Sequence, residues 1–274
     1  MYLLEFLKHR SFKSNKIQII INLVKLVFLQ VFKIKITYVI KLKTMNFLFN
    51  FVPLGKQSGS RGIYIYRENY ELLLKNCHTL IKKDDIVLDV GANQGIFTVA
   101  FSKLTGPNGK VLSIEPFDKM VKLIKSNILI NSLANIKILT TVVSDKEGSE
   151  SLDFGGGIVS ASIVRNFSKN SKIAIKATTI DTITKDFNKI NFIKLDIEGA
   201  ELKALNGAKQ TLHNDKPILS IEVDSNSFDE INEFLKPFGY ESYIFDHTGK
   251  LLPILAVNEL HSNMIFISKF NPLN

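Results

Sequence analysis

The chain has no tryptophan and a single cysteine, Cys77, among 274 residues. A lone cysteine forms no intrachain disulfide and builds no Cys-based zinc cage, which argues against a stapled secreted scaffold and for a reducing compartment. Acidic residues are scarce at one end. Residues 1–45 hold nine Lys or Arg and one acid, Glu5, for a net +8, while the rest of the chain carries only +1 of the total +9. A nearly neutral body argues against a nucleic-acid-binding surface, so nucleic acid is not an expected partner, and only the basic front suits an anionic one.

Uncharged runs of membrane-spanning length are also missing from the most apolar stretch, Ile17–Ile40, which Lys25, Lys33 and Lys35 interrupt. A spanning helix there would carry Lys25 near the bilayer centre at a cost of about 2.5–3.5 kcal/mol. No small-residue cleavage pattern follows to mark a secretory signal. At 100° per residue, Gln18, Asn22, Lys25 and Lys33 share one narrow face, opposite a wide apolar face that includes Ile20, Leu23, Val27, Val31 and Ile34. This predicts a helix lying in a membrane interface with snorkelling lysines, so residues 1–45 are expected to meet an anionic membrane surface. The alternative is that the apolar face packs on the body or on a second subunit. The chain thus divides into a basic amphipathic extension, 1–57, and a body, 58–274, joined by a loop at Ser58–Gly62. A cytoplasmic protein, peripheral at the membrane, is expected; the oligomeric state is left open.

The 45% apolar and 22% charged residues match a globular domain. From residue 70 onward short apolar runs alternate with helical spacing. Helices are predicted over 70–81, 96–104, 117–131, 200–212 and 227–236, and strands over 85–90, 111–115, 136–143, 191–196, 218–223, 242–245 and 264–267. Such alternation predicts an α/β fold with a mostly parallel sheet covered by helices on both faces, and ligands beyond the carboxyl ends of the strands. Residues 148–184, with Gly155-Gly-Gly157 and Ser160-Ala-Ser162, read as an insertion whose loop shapes a substrate pocket.

Val87–Gly95 places Asp89 at a strand end, then Gly91, Asn93 and Gly95, then a helix, giving Asp-x-Gly-x-x-x-Gly rather than the Gly-x-Gly-x-x-Gly of dinucleotide binders. A pyrophosphate favours bare amides at a helix N-terminus, whereas the sulfonium and ammonium of S-adenosylmethionine favour a carboxylate such as Asp89. Glu115 ends the next strand, where an acid can chelate a ribose diol; capping the following helix is its plainer role. Thr141–Asp145, with Val142, lies where an adenine ring would rest. Asp196, Glu198 and Glu222 end two strands expected to be neighbours. They could act as a general base (Asp196), as a cation-binding cluster or as a grip on sugar hydroxyls. Glu201 is expected to serve the first turn of its helix, and Lys194 to pair with a neighbouring acid. Cys77 reads as a packed residue, and His213 and His247 as exposed ones.

These segments resemble the FkbM-type S-adenosylmethionine-dependent methyltransferases. The likeness rests on Asp-Val-Gly-Ala-Asn-Gln-Gly (89–95), Ile-Glu-Pro (114–116), Ser-Asp-Lys-Glu-Gly (144–148), Thr-Thr-Ile-Asp-Thr-Ile (178–183), Phe-Ile-Lys-Leu-Asp-Ile-Glu-Gly-Ala-Glu-Leu (192–202) and Pro-Ile-Leu-Ser-Ile-Glu (217–222). It covers about residues 68–270. It implies a class I methyltransferase (Rossmann-like) fold, S-adenosylmethionine as cofactor, and methyl transfer to a hydroxyl oxygen, often on a sugar of a polysaccharide or on a natural product. A glycan or glycolipid is the expected acceptor. Small natural products, and a non-catalytic membrane-tethered nucleoside-binding adaptor, are the alternatives. Fourth-strand Leu-Asp-Ile-Glu in place of Asn/Asp-Pro-Pro-Tyr/Phe disfavours amino methylation of adenine, and the lack of a Pro-Cys dipeptide removes the nucleophile for cytosine. No resident metal is assigned.

Overall fold

The computed structural model describes residues 16–32, 36–41, 44–51, 60–153, 172–224, 227–254 and 261–271. In chain order, α1 (Lys16–Val31) leads to a hairpin of β1 (Ile36–Lys41) and β2 (Asn46–Phe51), then α2 (Ser60–Tyr66) and α3 (Leu72–Asn76). The body continues with β3 (Ile86–Val90), α4 (Ile96–Thr105), β4 (Lys110–Ile114), α5 (Asp118–Ile130), β5 (Ile136–Leu139), β6 (Val142–Val143), β7 (Gly148–Asp153) and β8 (Lys172–Thr178). It closes with α6 (Ile180–Thr184), β9 (Phe192–Leu195), α7 (Glu201–Asn206), α8 (Lys209–Asn214), β10 (Ile218–Asp224), α9 (Phe228–Leu235), β11 (Tyr240–Phe245), β12 (Leu251–Pro253) and β13 (His261–Ser268).

Eight strands form the main sheet in the order β12-β11-β13-β10-β9-β3-β4-β5. β5, β4, β3, β9 and β10 run parallel, and β13 lies antiparallel between β10 and β11. Apolar side chains point to both faces, as a parallel sheet covered on both sides requires. Leu88, Val90, Ile193, Leu195 and Ile221 pack against Ala204, Leu205, Leu212 and Ile231 on one face. On the other, Val87, Val111 and Phe192 meet Phe97, Ala100 and Phe101 of α4. The chain leaves β3 toward β4 on one side and returns as β9 on the other. The crevice at that switch point is where ligands bind in open parallel sheets.

Several elements differ from the periodicity. The stretch read as one amphipathic helix ends at Val31, and Ile36–Lys41 is a strand whose Ile40 is buried with Phe47 and Phe49 among Leu73, Phe97 and Phe101 of the body. Its exposed Thr37, Val39 and Lys41 alternate with more buried Ile36, Tyr38 and Ile40, a period of two that a helical reading overrides. Asn22, assigned to the polar face, is buried and donates to the Ile65 carbonyl at 2.9 Å. Ser60–Gly62 is the first part of α2 rather than loop, and Gly62 lies so close to the Tyr70 ring that a side chain there would meet it.

The 70–81 segment is only partly helical, since Glu71 is extended and Asn76 spends its amide on the Leu72 carbonyl. The 136–143 run splits at Thr140–Thr141, where Val142 leaves the main sheet to pair with Ala177. The 200–212 helix breaks at Gly207, which passes so close to the Ser144 carbonyl that no Cβ fits. Asp181 then accepts from Gln210 and Thr211 to start α8. In the 148–184 region β7 and β8 pair antiparallel, and the Gly155–Ser162 loop lies outside the described residues.

Candidate active site

Period-two alternation places a polar row under α4. Ser113, Asp89, Lys194 and Ser220 are in register across β4, β3, β9 and β10, and each is essentially fully buried. Two residues further on, the same face carries Asp196 after β9 and Glu222 on β10. Asp89 Oδ2 accepts from Thr98 Oγ1 of α4 at 2.5 Å, while its Oδ1 has no partner among the described residues. Burial raises the Asp89 carboxyl against the pull of Lys194. Asp89 thus sits beneath the glycine loop, in the row that ends at the acids, and not in the wall of the cavity above it.

That cavity, about 710 Å³ counted to its open mouth, lies at the switch point beyond β3, β4 and β9. It brings together Gly91, Asn93, Glu115, Val142, Asp196 and Glu198, all of them marked by the sequence. Glu115 is 5% exposed. Its Oε2 accepts from the Asn93 amide at 2.9 Å and its Oε1 from the Phe117 amide at 3.1 Å. These bonds orient the carboxylate and oppose burial, which nevertheless pushes its pKa up to about 7. Asn93 (φ +52°) and Glu198 (φ +57°), both in the cavity wall, hold the left-handed conformation that non-glycine residues disfavour, as do Arg67, Asp84, Ser132 and Lys216 elsewhere.

Gly91 and Gly95 use their missing side chains on the protein itself. A Cβ on Gly91 would lie 1.9 Å from the Asp196 carbonyl oxygen, so the glycine lets the β3 loop press against the end of β9. Gly95 (φ +83°) starts α4 beside Ile124 and does not line the cavity.

Asp196 is held from two sides. Lys194 Nζ donates to its Oδ2 at 2.7 Å from a side chain only 2% exposed, and lies over the Phe97 ring. Burial opposes ionisation of Asp196, but the Lys194 charge and hydrogen bonds from Glu222 and Lys194 hold its pKa below the usual range. Glu222 is pushed the other way, first by the charge of Asp196 and then by burial. The two carboxyls are thus pulled in opposite directions, Asp196 toward its ionised form and Glu222 toward its neutral form. Among the described residues no group of three or more His, Cys, Asp or Glu could hold a metal ion.

Three neighbours of the pair escaped the sequence reading. Asn263 of β13 faces Glu222 in register and donates to Glu71 Oε2 at 2.8 Å, and half-buried Tyr70 feels the charges of Glu71, Asp196 and Glu222. The only signal for Asn263 lies in strand pairing across the chain. Glu201 accepts from the Ile197 and Gly199 amides, as expected for a residue ordering its own helix start. Cys77 is buried, with burial raising its thiol to about 12, and His213 and His247 are exposed.

Among the described residues no Lys or Arg lines the cavity, whereas Glu115, Asp196 and Glu198 do, together with apolar Ile114, Phe117, Met120, Val142 and Leu152. A pyrophosphate finds no counter-charge among these residues. A ligand combining an aromatic base, a ribose diol and cationic sulfonium and ammonium groups fits each part.

A family model described as the methyltransferase FkbM domain matches residues 89–242, more than half of the chain. A probable cobalt-precorrin-6B C(15)-methyltransferase (decarboxylating) from Saccharolobus solfataricus is 33% identical over 135 residues, covering 43% of this chain and 66% of that protein. Methyltransferase sdnD from Sordaria araneosa is 21% identical over 182 residues, covering 54% and 69%. The chain thus spans just under two thirds of the first of these relatives. Among solved structures, a methyltransferase FkbM from Methylobacillus flagellatus KT superposes with a TM-score of 0.48 at 17% identity, covering 78% of this chain and 56% of the other.

Proposed function

Because this chain belongs to the FkbM methyltransferase family, an S-adenosylmethionine-dependent class, we propose that it methylates a hydroxyl oxygen, on a sugar of a polysaccharide or glycolipid. The two carboxyls set side by side at the ends of the paired strands β9 and β10 carry this reading. A hydroxyl both donates and accepts, and here a carboxyl held toward its ionised form stands beside one pushed toward its neutral form. Glu198 nearby adds acceptor capacity suited to a polyhydroxyl compound.

When bound, S-adenosylmethionine supplies an electrophilic methyl group on its sulfonium. Glu115 would hold the ribose diol, Val142 and Leu152 would flank the base, and the acids of the cavity would face the cationic end. Asp196, steadied by Lys194, would orient the acceptor hydroxyl and take its proton. A carboxylate of depressed pKa suffices for this, since that proton becomes strongly acidic as the oxygen gains its third bond, to the methyl carbon, while the carbon–sulfur bond breaks. Most of the acceleration then comes from alignment of the two substrates.

The test is transfer of labelled methyl to extracted glycans and glycolipids, with the labelled position determined. Base-stable label on oxygen supports the proposal. Label on carbon would move the chain toward the reaction named for its archaeal relative, and cofactor binding without turnover on any acceptor would favour the adaptor.

A further inference from the structure

Helix α1 is apolar on two opposite sides. Its inward stripe, Ile19, Leu26 and Leu29 with buried Asn22, packs on Tyr64, Ile65 and Tyr66 of α2. Its outward side carries Ile17, Ile20, Val24, Val27, Phe28 and Val31, of which Val24 is 67% and Val31 69% exposed. At 100° per residue these six span an arc of about 100°, and Lys16 and Lys25 fall on its two margins. Both lysines are exposed. An apolar stripe bordered by lysines is how a helix lies in a lipid interface, with ammonium groups at headgroup level.

We infer that the outward face of α1 docks this protein on an anionic membrane surface. Charge decides between lipid and a second copy. The first 45 residues carry net +8, so pairing two such faces brings like charges together, whereas an acidic bilayer neutralises them. The docking does not depend on the proposed function; a glycolipid acceptor would lie at the same surface.

The experiment is co-sedimentation of the full chain with vesicles of phosphatidylcholine plus phosphatidylserine, against phosphatidylcholine alone, with light scattering on the same samples. Binding tighter by about tenfold or more on the anionic vesicles, and weakened by salt, is expected. Val24→Glu with Val27→Glu, at exposed positions that leave the packed stripe intact, should abolish binding while cofactor affinity is kept. Equal binding to neutral vesicles, no binding to either, or a lipid-independent dimer that the same double variant dissociates would each overturn the inference. Vesicle binding without methyl transfer to glycolipid would leave docking standing and sink the acceptor assignment instead.

Discussion

Glu115 does two jobs that pull in opposite directions. Its buried carboxylate anchors the Asn93 and Phe117 amides, yet burial lifts its pKa to about 7. Only the ionised form accepts both hydroxyls of a diol, so cofactor affinity should rise with pH through about 7. Stability has the opposite sign. Between the ordinary glutamate value of 4.5 and about 7 the folded chain holds a proton that the unfolded chain has released, so the contribution of Glu115 to stability falls as pH rises across that window. Glu115→Ala should weaken cofactor binding by about 1–3 kcal/mol, the scale of lost charged hydrogen bonds. Calorimetry across this pH range measures it in a chain without tryptophan, and a pH-independent, unchanged affinity would remove Glu115 from the site. Asp196→Asn should lower kcat by about 10²–10⁴-fold with cofactor affinity kept, the contribution of a positioned base. Glu222→Gln preserves a donor where the neutral acid stood and should retain most of the activity, whereas a metal-binding role would make both variants equally damaging.

The body elements were legible because buried parallel strands are short apolar runs, such as Ile86–Val90 and Ile218–Val223, closed by acids and glycines. Period two within those runs also set Lys194 beside Asp196, and strand order made Glu222 their neighbour. Illegible were contacts made by pairing alone: Asn263 opposite Glu222, or Asp181 starting α8 from a distance. The β1–β2 hairpin was readable in principle, since Ile36, Tyr38 and Ile40 alternate, but the surrounding apolar residues fit a helix equally well. The glycines were located correctly and explained differently. Gly91→Ala places a methyl 1.9 Å from the Asp196 carbonyl at φ +81°, against backbone that cannot retreat. Left-handed strain alone costs about 1–2 kcal/mol, and the displaced β9 end carries Asp196. Gly95→Ala meets the Ile124 side chain at 3.1 Å, which can yield. Thermal melting and turnover should therefore rank Gly91→Ala well below Gly95→Ala, and the reverse order would show that the loop, not the β9 contact, sets the requirement for glycine.

At the scale of the whole molecule, the basic front and the catalytic body share one interior. Ile40 and Phe49 are fully buried and Phe47 is 3% exposed, all within the cluster that holds Leu73, Val87, Phe97 and Phe192. The hairpin is further tied to α5, with the Leu48 and Asn50 amides donating to Asn131 and Asn127. The two parts that a division after residue 57 would separate are therefore packed against each other. Burying each of these three side chains is worth about 1.5–3 kcal/mol, so their loss removes roughly 5–9 kcal/mol, comparable with the roughly 5–15 kcal/mol that holds a domain folded. The fragment 58–274 should consequently melt far below the full chain or aggregate, because the α4 side of the sheet is left uncovered. By contrast, the double glutamate variant of α1 alters only an exposed stripe and should melt close to the parent. Comparing the two by calorimetry separates the roles of the front: a stable, cofactor-binding fragment would make the hairpin an appendage, whereas its collapse beside an intact α1 variant would show that β1 and β2 belong to the body and that α1 alone is free to meet a membrane.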